Sequence, residues 1–126
     1  MEIKLEEVVD EPLQCVVFTC PLGAAWGVWR GREVPGVGSC AVEFDIPGEV
    51  GVWSKAEGPA TISGEYQEGL VLVRGQLESV DEDGVAGLRL GSDVILVDVP
   101  SGAEEFPVGG TVEFTIGQID IYPYVV

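Results

Sequence analysis

The pentapeptide Val112-Glu113-Phe114-Thr115-Ile116 repeats Val42-Glu43-Phe44-Asp45-Ile46, and a chain that carries one strand pattern twice within 126 residues has few ways to fold. Both copies alternate apolar and polar side chains with the period of two of a half-buried strand. The match continues on either side. Pro35-Gly36-Val37-Gly38 precedes the first copy and Pro107-Val108-Gly109 the second. Gly48-Glu49-Val50-Gly51-Val52-Trp53 follows one and Gly117-Gln118-Ile119-Asp120-Ile121-Tyr122 the other, with Pro47 as a one-residue insertion. Upstream, Leu5-Glu6-Glu7-Val8-Val9-Asp10-Glu11 aligns with Leu77-Glu78-Ser79-Val80-Asp81-Glu82 once one deletion is allowed. The duplication therefore spans whole half-chains.

Each half reads as five short strands in the same order. Residues 3–9, 14–20 and 24–29 correspond to 73–80, 85–90 and 94–99, and each set is followed by the Val-Glu-Phe strand and one further short strand. Gly, Pro and Asp-Gly clusters mark the turns, and no segment of ten or more residues carries a 3.6-residue apolar period, so the expected class is all-β. Residues 1–56 form the first β-repeat, 57–69 a connecting segment with a short added strand near 60–66, and 70–126 the second β-repeat. A half of about 55 residues is marginal as a lone core, so the two are expected to pack as one compact unit. A single pseudo-twofold barrel or sandwich is the alternative. Trp53 and Tyr122 occupy equivalent positions and are expected to close the cores.

The opening Gly75-Gln76-Leu77-Glu78-Ser79-Val80, the second strand Leu88-Arg89-Leu90-Gly91 and the closing Val108-Gly109-Gly110-Thr111-Val112-Glu113-Phe114 resemble small OB-fold-like barrels, TOBE-type domains among them. The resemblance covers residues 71–124 best and 2–53 less well. It departs from the OB pattern in having no segment between the third and fourth strands that could form a helix. Such barrels bind nucleic acids, oligosaccharides, oxyanions or proteins, so the resemblance implies two half-barrels and leaves function open.

Twenty-two acidic residues against six basic ones give a net charge of −16. That sign repels phosphate backbones and anionic lipid and attracts basic proteins, so neither nucleic acid nor membrane is expected as a partner. The charge also serves solubility and discourages edge-to-edge strand pairing. The first residues form no secretory signal, no apolar run is long enough to span a bilayer, and the cysteines number three, so a cytoplasmic protein is expected.

The catalytic inventory is thin. The chain has no histidine, which removes Ser-His-Asp, Cys-His and His-metal chemistry and leaves paired carboxylates as the acid–base option. Cys15 and Cys20 lie five apart, face opposite sides of a strand and read as small hydrophobes. Asp81-Glu82-Asp83-Gly84 reads as a hairpin turn, because the further ligands of a calcium loop are missing. Gly31, Gly36 and Gly38 precede a strand and cradle no phosphate. No enzyme activity, metal or cofactor is expected.

What remains is an interaction surface. By comparison with residues 95–99, Trp29 points inward and Trp26 and Val28 outward, where they are either buried against the second half or presented to a partner. Glu82, Asp83, Glu104 and Glu105 supply acidic loops. We therefore expect a non-enzymatic acidic module that binds and neutralises a basic partner protein through Trp26, Val28, Glu82, Asp83, Glu104 and Glu105, an immunity protein or an inhibitor of a toxin or nuclease being the concrete form. The alternatives are a small-ligand module, taking a sugar or metabolite through Trp26, Tyr66 or Tyr124, and a structural subunit of a larger assembly.

Overall fold

The structure is a computed structural model and describes residues 1–99 and 105–124. Eleven strands and one 3₁₀ turn occupy those residues, which contain no α-helix. Strands β1 (Glu2–Asp10), β2 (Cys15–Cys20) and β3 (Gly23–Trp29) form an antiparallel meander, and β4 (Gly38–Asp45) returns to pair with β1. Alternation decides which side chains face inward: Ile3 and Leu5 on β1, Val16 and Phe18 on β2, Trp29 on β3, and Val42 and Phe44 on β4 are all buried. Phe18 and Phe44 stack across this core at 5.4 Å between ring centroids.

Those four strands do not close on themselves. The fifth stave is β11 (Asp120–Pro123), from the far end of the chain, parallel to β3 and antiparallel to β4. The result is a closed five-stranded barrel compatible with an OB-like barrel. The second sheet is built from β7 (Val71–Val80), β8 (Val85–Leu90), β9 (Asp93–Asp98) and β10 (Thr111–Ile116), joined by β5 (Ser54–Lys55) beside β10 and β6 (Thr61–Ser63) beside β7. Its fifth stave comes from the first repeat. Glu49 bridges Asp98 in parallel, the Val50 N–H donates to the Asp98 carbonyl at 2.8 Å, and Ser54 and Lys55 pair antiparallel with β10. Each repeat thus lends its last strand to the other. Pro47 cannot donate to a ladder, and Gly48, at φ +77°, turns the chain away from β4 toward the second sheet.

The exchange revises what closes each core. Trp53 packs on Phe106 at 5.4 Å and completes the second half, whereas Tyr122 is 43 % exposed and its neighbour Ile121 enters the barrel. Strand β11 turns its even-numbered position outward at Tyr122 because β3 and β4 both pair with it and only the odd positions 119 and 121 meet the core. Asp120 is buried between them. Its carboxylate accepts a bond from Gln118 Nε2 at 2.7 Å and faces Arg30 Nε at 3.3 Å, as a buried charge requires.

The two Val-Glu-Phe strands are not in equivalent register. Leu5 lies opposite Gly38, four residues before Val42, while Leu77 donates to the Gly110 carbonyl, two residues before Val112. The slide of two residues is even, so Val42, Phe44, Val112 and Phe114 all still face inward. The buried residues of both halves form one continuous cluster.

Close approach of β11 demands a glycine on β3. A Cβ at Gly27 would lie 2.7 Å from the Ile119 carbonyl oxygen and 2.8 Å from Ile121 Cδ1. Gly27→Ala is expected to lower stability by about 1–3 kcal/mol, as overpacked sites do, with faster amide exchange at Val28 and Arg30, whose N–H groups bond to Ile119 and Ile121. Urea unfolding and hydrogen exchange measure both.

Candidate functional site

The hairpin register puts Cys15, Val17, Trp26 and Val28 together on the outer face of β2 and β3. Alternation predicted that Trp26 and Val28 point out of the barrel, which they do, but the chain covers them itself. Trp26 is 6 % exposed and Val28 9 %. The cover is the connecting segment. Strand β6 pairs with β7 along one edge, while on the other Ile62 N–H and Gly64 N–H donate to the Leu22 and Ala24 carbonyls at 3.3 and 3.1 Å. The segment is a seam between the halves. After it, the 3₁₀ turn Tyr66–Glu68 sets the Tyr66 ring edge-on to Trp26 at 5.3 Å, and Trp26 Nε1 donates to the Leu70 carbonyl at 3.3 Å. Neither Trp26 nor Val28 is presented at the surface, because the connecting segment lays its strand, within the expected 60–66 stretch, and the turn after it across them.

The Tyr66 hydroxyl lies against Cys15 and Asp10. Burial raises the tyrosine's pKa, and the neighbouring thiol and carboxylate raise it further. Burial likewise pushes the Cys15 thiol up, and Asp10 adds to it. Burial and Asp10 thus both disfavour the Cys15 thiolate, and the side chain packs as a small hydrophobe.

Two depressions flank Tyr66. The larger, 570 Å³, lies between β1, β2 and the turn, with exposed Glu7, Glu65 and Glu68 at its rim and Val9, Val17 and Ala25 beneath. The smaller, 300 Å³, is bounded by Leu13, Val28, Arg30 and Gln118. The carboxylates of the larger groove are missed by a reading of the sequence alone, since Glu7 is remote in sequence and meets Glu65 and Glu68 only once the segment docks. The signal available was the pattern Gly64-Glu65-Tyr66-Gln67-Glu68, an aromatic residue framed by carboxylates in the middle of the connecting segment.

The acidic turn of the second half is a designed tip. Asp81 Oδ1 accepts the N–H groups of Asp83 at 2.9 Å and Val85 at 3.0 Å, and Gly84 takes φ +78°. Asp81 thereby fixes the turn and leaves Glu82 and Asp83 exposed at its end. The Val99 N–H donates to the Gly84 carbonyl at 2.9 Å, so the end of β9 lies beside this turn. Glu105 is exposed, and Glu104 lies outside the described residues.

Cations are largely spoken for. Lys4 faces Glu6, Arg30 Asp120, Arg74 Glu113 and Arg89 Glu78, and the Met1 ammonium meets Asp93 at 2.6 Å. Of the 22 carboxylate side chains, five are in these pairs and Glu104 is not described, which leaves sixteen without a cation among the described residues. All of them except the half-buried Asp10 are exposed. Among the described residues no group of three or more His, Cys, Asp or Glu side chains is arranged to hold a metal ion, and no helix is long and apolar enough to cross a membrane. No protein family, curated protein or solved structure matches the chain.

Tyr66→Ala removes the lid over Trp26 and Cys15. In a Cys20→Ser/Cys40→Ser background the Cys15 thiol is expected to react severalfold faster with a thiol reagent, and stability to fall by about 3 kcal/mol, the usual cost of truncating a packed aromatic ring. An unchanged labelling rate would show that the segment does not seal this face.

Proposed function

We propose that this protein is a non-enzymatic acidic interaction module that binds and neutralises a basic partner protein, in the manner of an immunity protein or an inhibitor of a cationic toxin or nuclease. The observation that supports the reading is the set of sixteen carboxylates without a cation, fifteen of them exposed, on a rigid β scaffold. Because four of the six basic side chains are engaged with other carboxylates and, among the described residues, only Arg32 and Lys55 are not, these side chains act as a field of predominantly one sign. Such a field accelerates encounter with a basic surface, and fixed carboxylates can occupy cation sites that otherwise receive phosphates. At the tip Glu82 and Asp83 are exposed on a turn held by the bonds from Asp81 to the Asp83 and Val85 N–H groups, and Glu105 adds a further exposed carboxylate. Neutralisation then amounts to covering the partner's cationic face.

The larger depression beside Tyr66 favours a second reading, a small-ligand module that takes a metabolite beside the aromatic ring. Its rim of Glu7, Glu65 and Glu68 makes a cationic metabolite the fitting class.

Glu82→Lys, Asp83→Lys and Glu105→Lys together are expected to weaken partner binding by about tenfold or more, chiefly through a slower association rate, and to flatten its salt dependence. Melting temperature should stay within a few degrees, since all three side chains are exposed. The partner is first isolated from cytoplasm by elution with salt. Unaltered affinity and an unaltered salt slope in the triple variant would contradict the reading.

A further inference from the structure

The internal repeat reveals an unfilled docking position. Residues of β2 and β3 map onto β8 and β9 with a constant offset of seventy: Val17 faces Trp26 as Gly87 faces Leu96, and Ala24 corresponds to Val94. The hairpin turns confirm the mapping. Gln14 and Gly84 both have positive φ, 56° and 78°, and their carbonyls accept from Trp29 and Val99 at 2.8 and 2.9 Å. The same scaffold is thus present twice, but among the described residues only one copy is covered. At the first, β6 bonds to the outer edge of β3 and Tyr66 lies on Trp26. At the second, Leu96 is 67 % exposed and Val94 44 %.

The edge there is open as well. Strand β9 ends its sheet, and among the described residues its outer edge carries only the bridge from Glu49 to Asp98. Because the Asp98 carbonyl points to that edge, the alternation of an antiparallel ladder sends the N–H and C=O groups of Val94 and Leu96 the same way. Beside them lies a depression of 430 Å³ between β9 and β4, lined by Val94, Leu96, Tyr124, Glu43, Asp93 and Met1. The Met1 ammonium in it is already neutralised by Asp93 and bonded to the Val42 carbonyl at 3.0 Å. Glu43 in its lining and Asp98 at the far end of β9 have no cation partner among the described residues.

We propose that this crease is where the basic partner inserts an extended segment, which adds to the edge of β9 and lays an aromatic side chain over Val94 and Leu96 as Tyr66 does over Trp26. The assignment rests on the acidic-module reading above and names its contact surface. Strand addition supplies backbone bonds, and side-chain pockets supply choice among sequences. Charge selects the occupant: Glu43 and Asp98, which have no cation partner among the described residues, favour a segment with lysine or arginine, whereas a second copy would set two surfaces of −16 against each other.

The internal precedent provides the probe, a synthetic peptide of residues 60–70 carrying Glu65→Lys, Gln67→Lys and Glu68→Lys, with a scrambled peptide of equal charge beside it. The full-length protein is expected to bind the first about tenfold or more tightly than the second, with slowed amide exchange at Val94 and Leu96. Leu96→Glu, at an exposed position, is expected to abolish that preference and leave the circular dichroism unchanged. Equal, salt-sensitive binding of both peptides with no protection of β9 would overturn the crease and leave the acidic-module reading standing. Binding of neither would also overturn the crease, and the charge reversals at Glu82, Asp83 and Glu105 would then judge the wider reading alone. Self-association that Leu96→Glu removes would overturn it in favour of a second copy.

Discussion

Val28 and Arg30 donate their backbone N–H groups to the carbonyls of Ile119 and Ile121 at 2.9 and 2.8 Å, and these bonds fasten the last strand of the chain into the barrel made by the first. Without β11 the edges of β3 and β4 would stand apart and Phe18, Phe44 and Trp29 would meet water. The reciprocal contact of Val50 with Asp98 does the same for the second sheet. Two halves too small to hold a robust core alone thereby share one, and neither can be completed without the other. The geometry is exacting, since it requires Gly27 under β11 and a buried Asp120 satisfied by Gln118 and Arg30.

Much of this is legible in the residues themselves. Alternation and turn glycines located the strands of each half closely, and the repeated Val-Glu-Phe motif identified both core faces, because period-two burial is a local property of a strand. Strand exchange was not legible. Whether the segment after Pro47 pairs with its own half or the other depends on where the two halves sit, and nothing local at Val50 or Ile121 encodes that choice. Tyr122 was misplaced for the same reason. The face of Trp26 was ambiguous because outward from a barrel is not outward from the molecule; the docking of Tyr66, a distant contact, decides it.

Duplication also gives an account of how function is distributed. One outer face is closed by the connecting segment and joins the halves, so its aromatic residues serve the fold. Among the described residues the equivalent face in the second half has no such cover, and Val94 and Leu96 are exposed. A divergence of roles between copies of one scaffold follows from topology alone, since only the first repeat is followed by a segment that must cross to the second. Charge is layered over that scaffold and, Asp120 apart, sits on outward positions and turns.

The most direct measurement of the central claim is native-state hydrogen exchange on Ile121→Ala. Ile121 is fully buried, and its truncation removes about 2–5 kcal/mol. If β11 completes the first barrel and the exchange makes the two halves one unit, slow amides of β2 and of β8 should lose protection by the same free energy. Loss confined to β8, with β2 unaffected, would mean that the final strand belongs to its own repeat and that the halves fold separately.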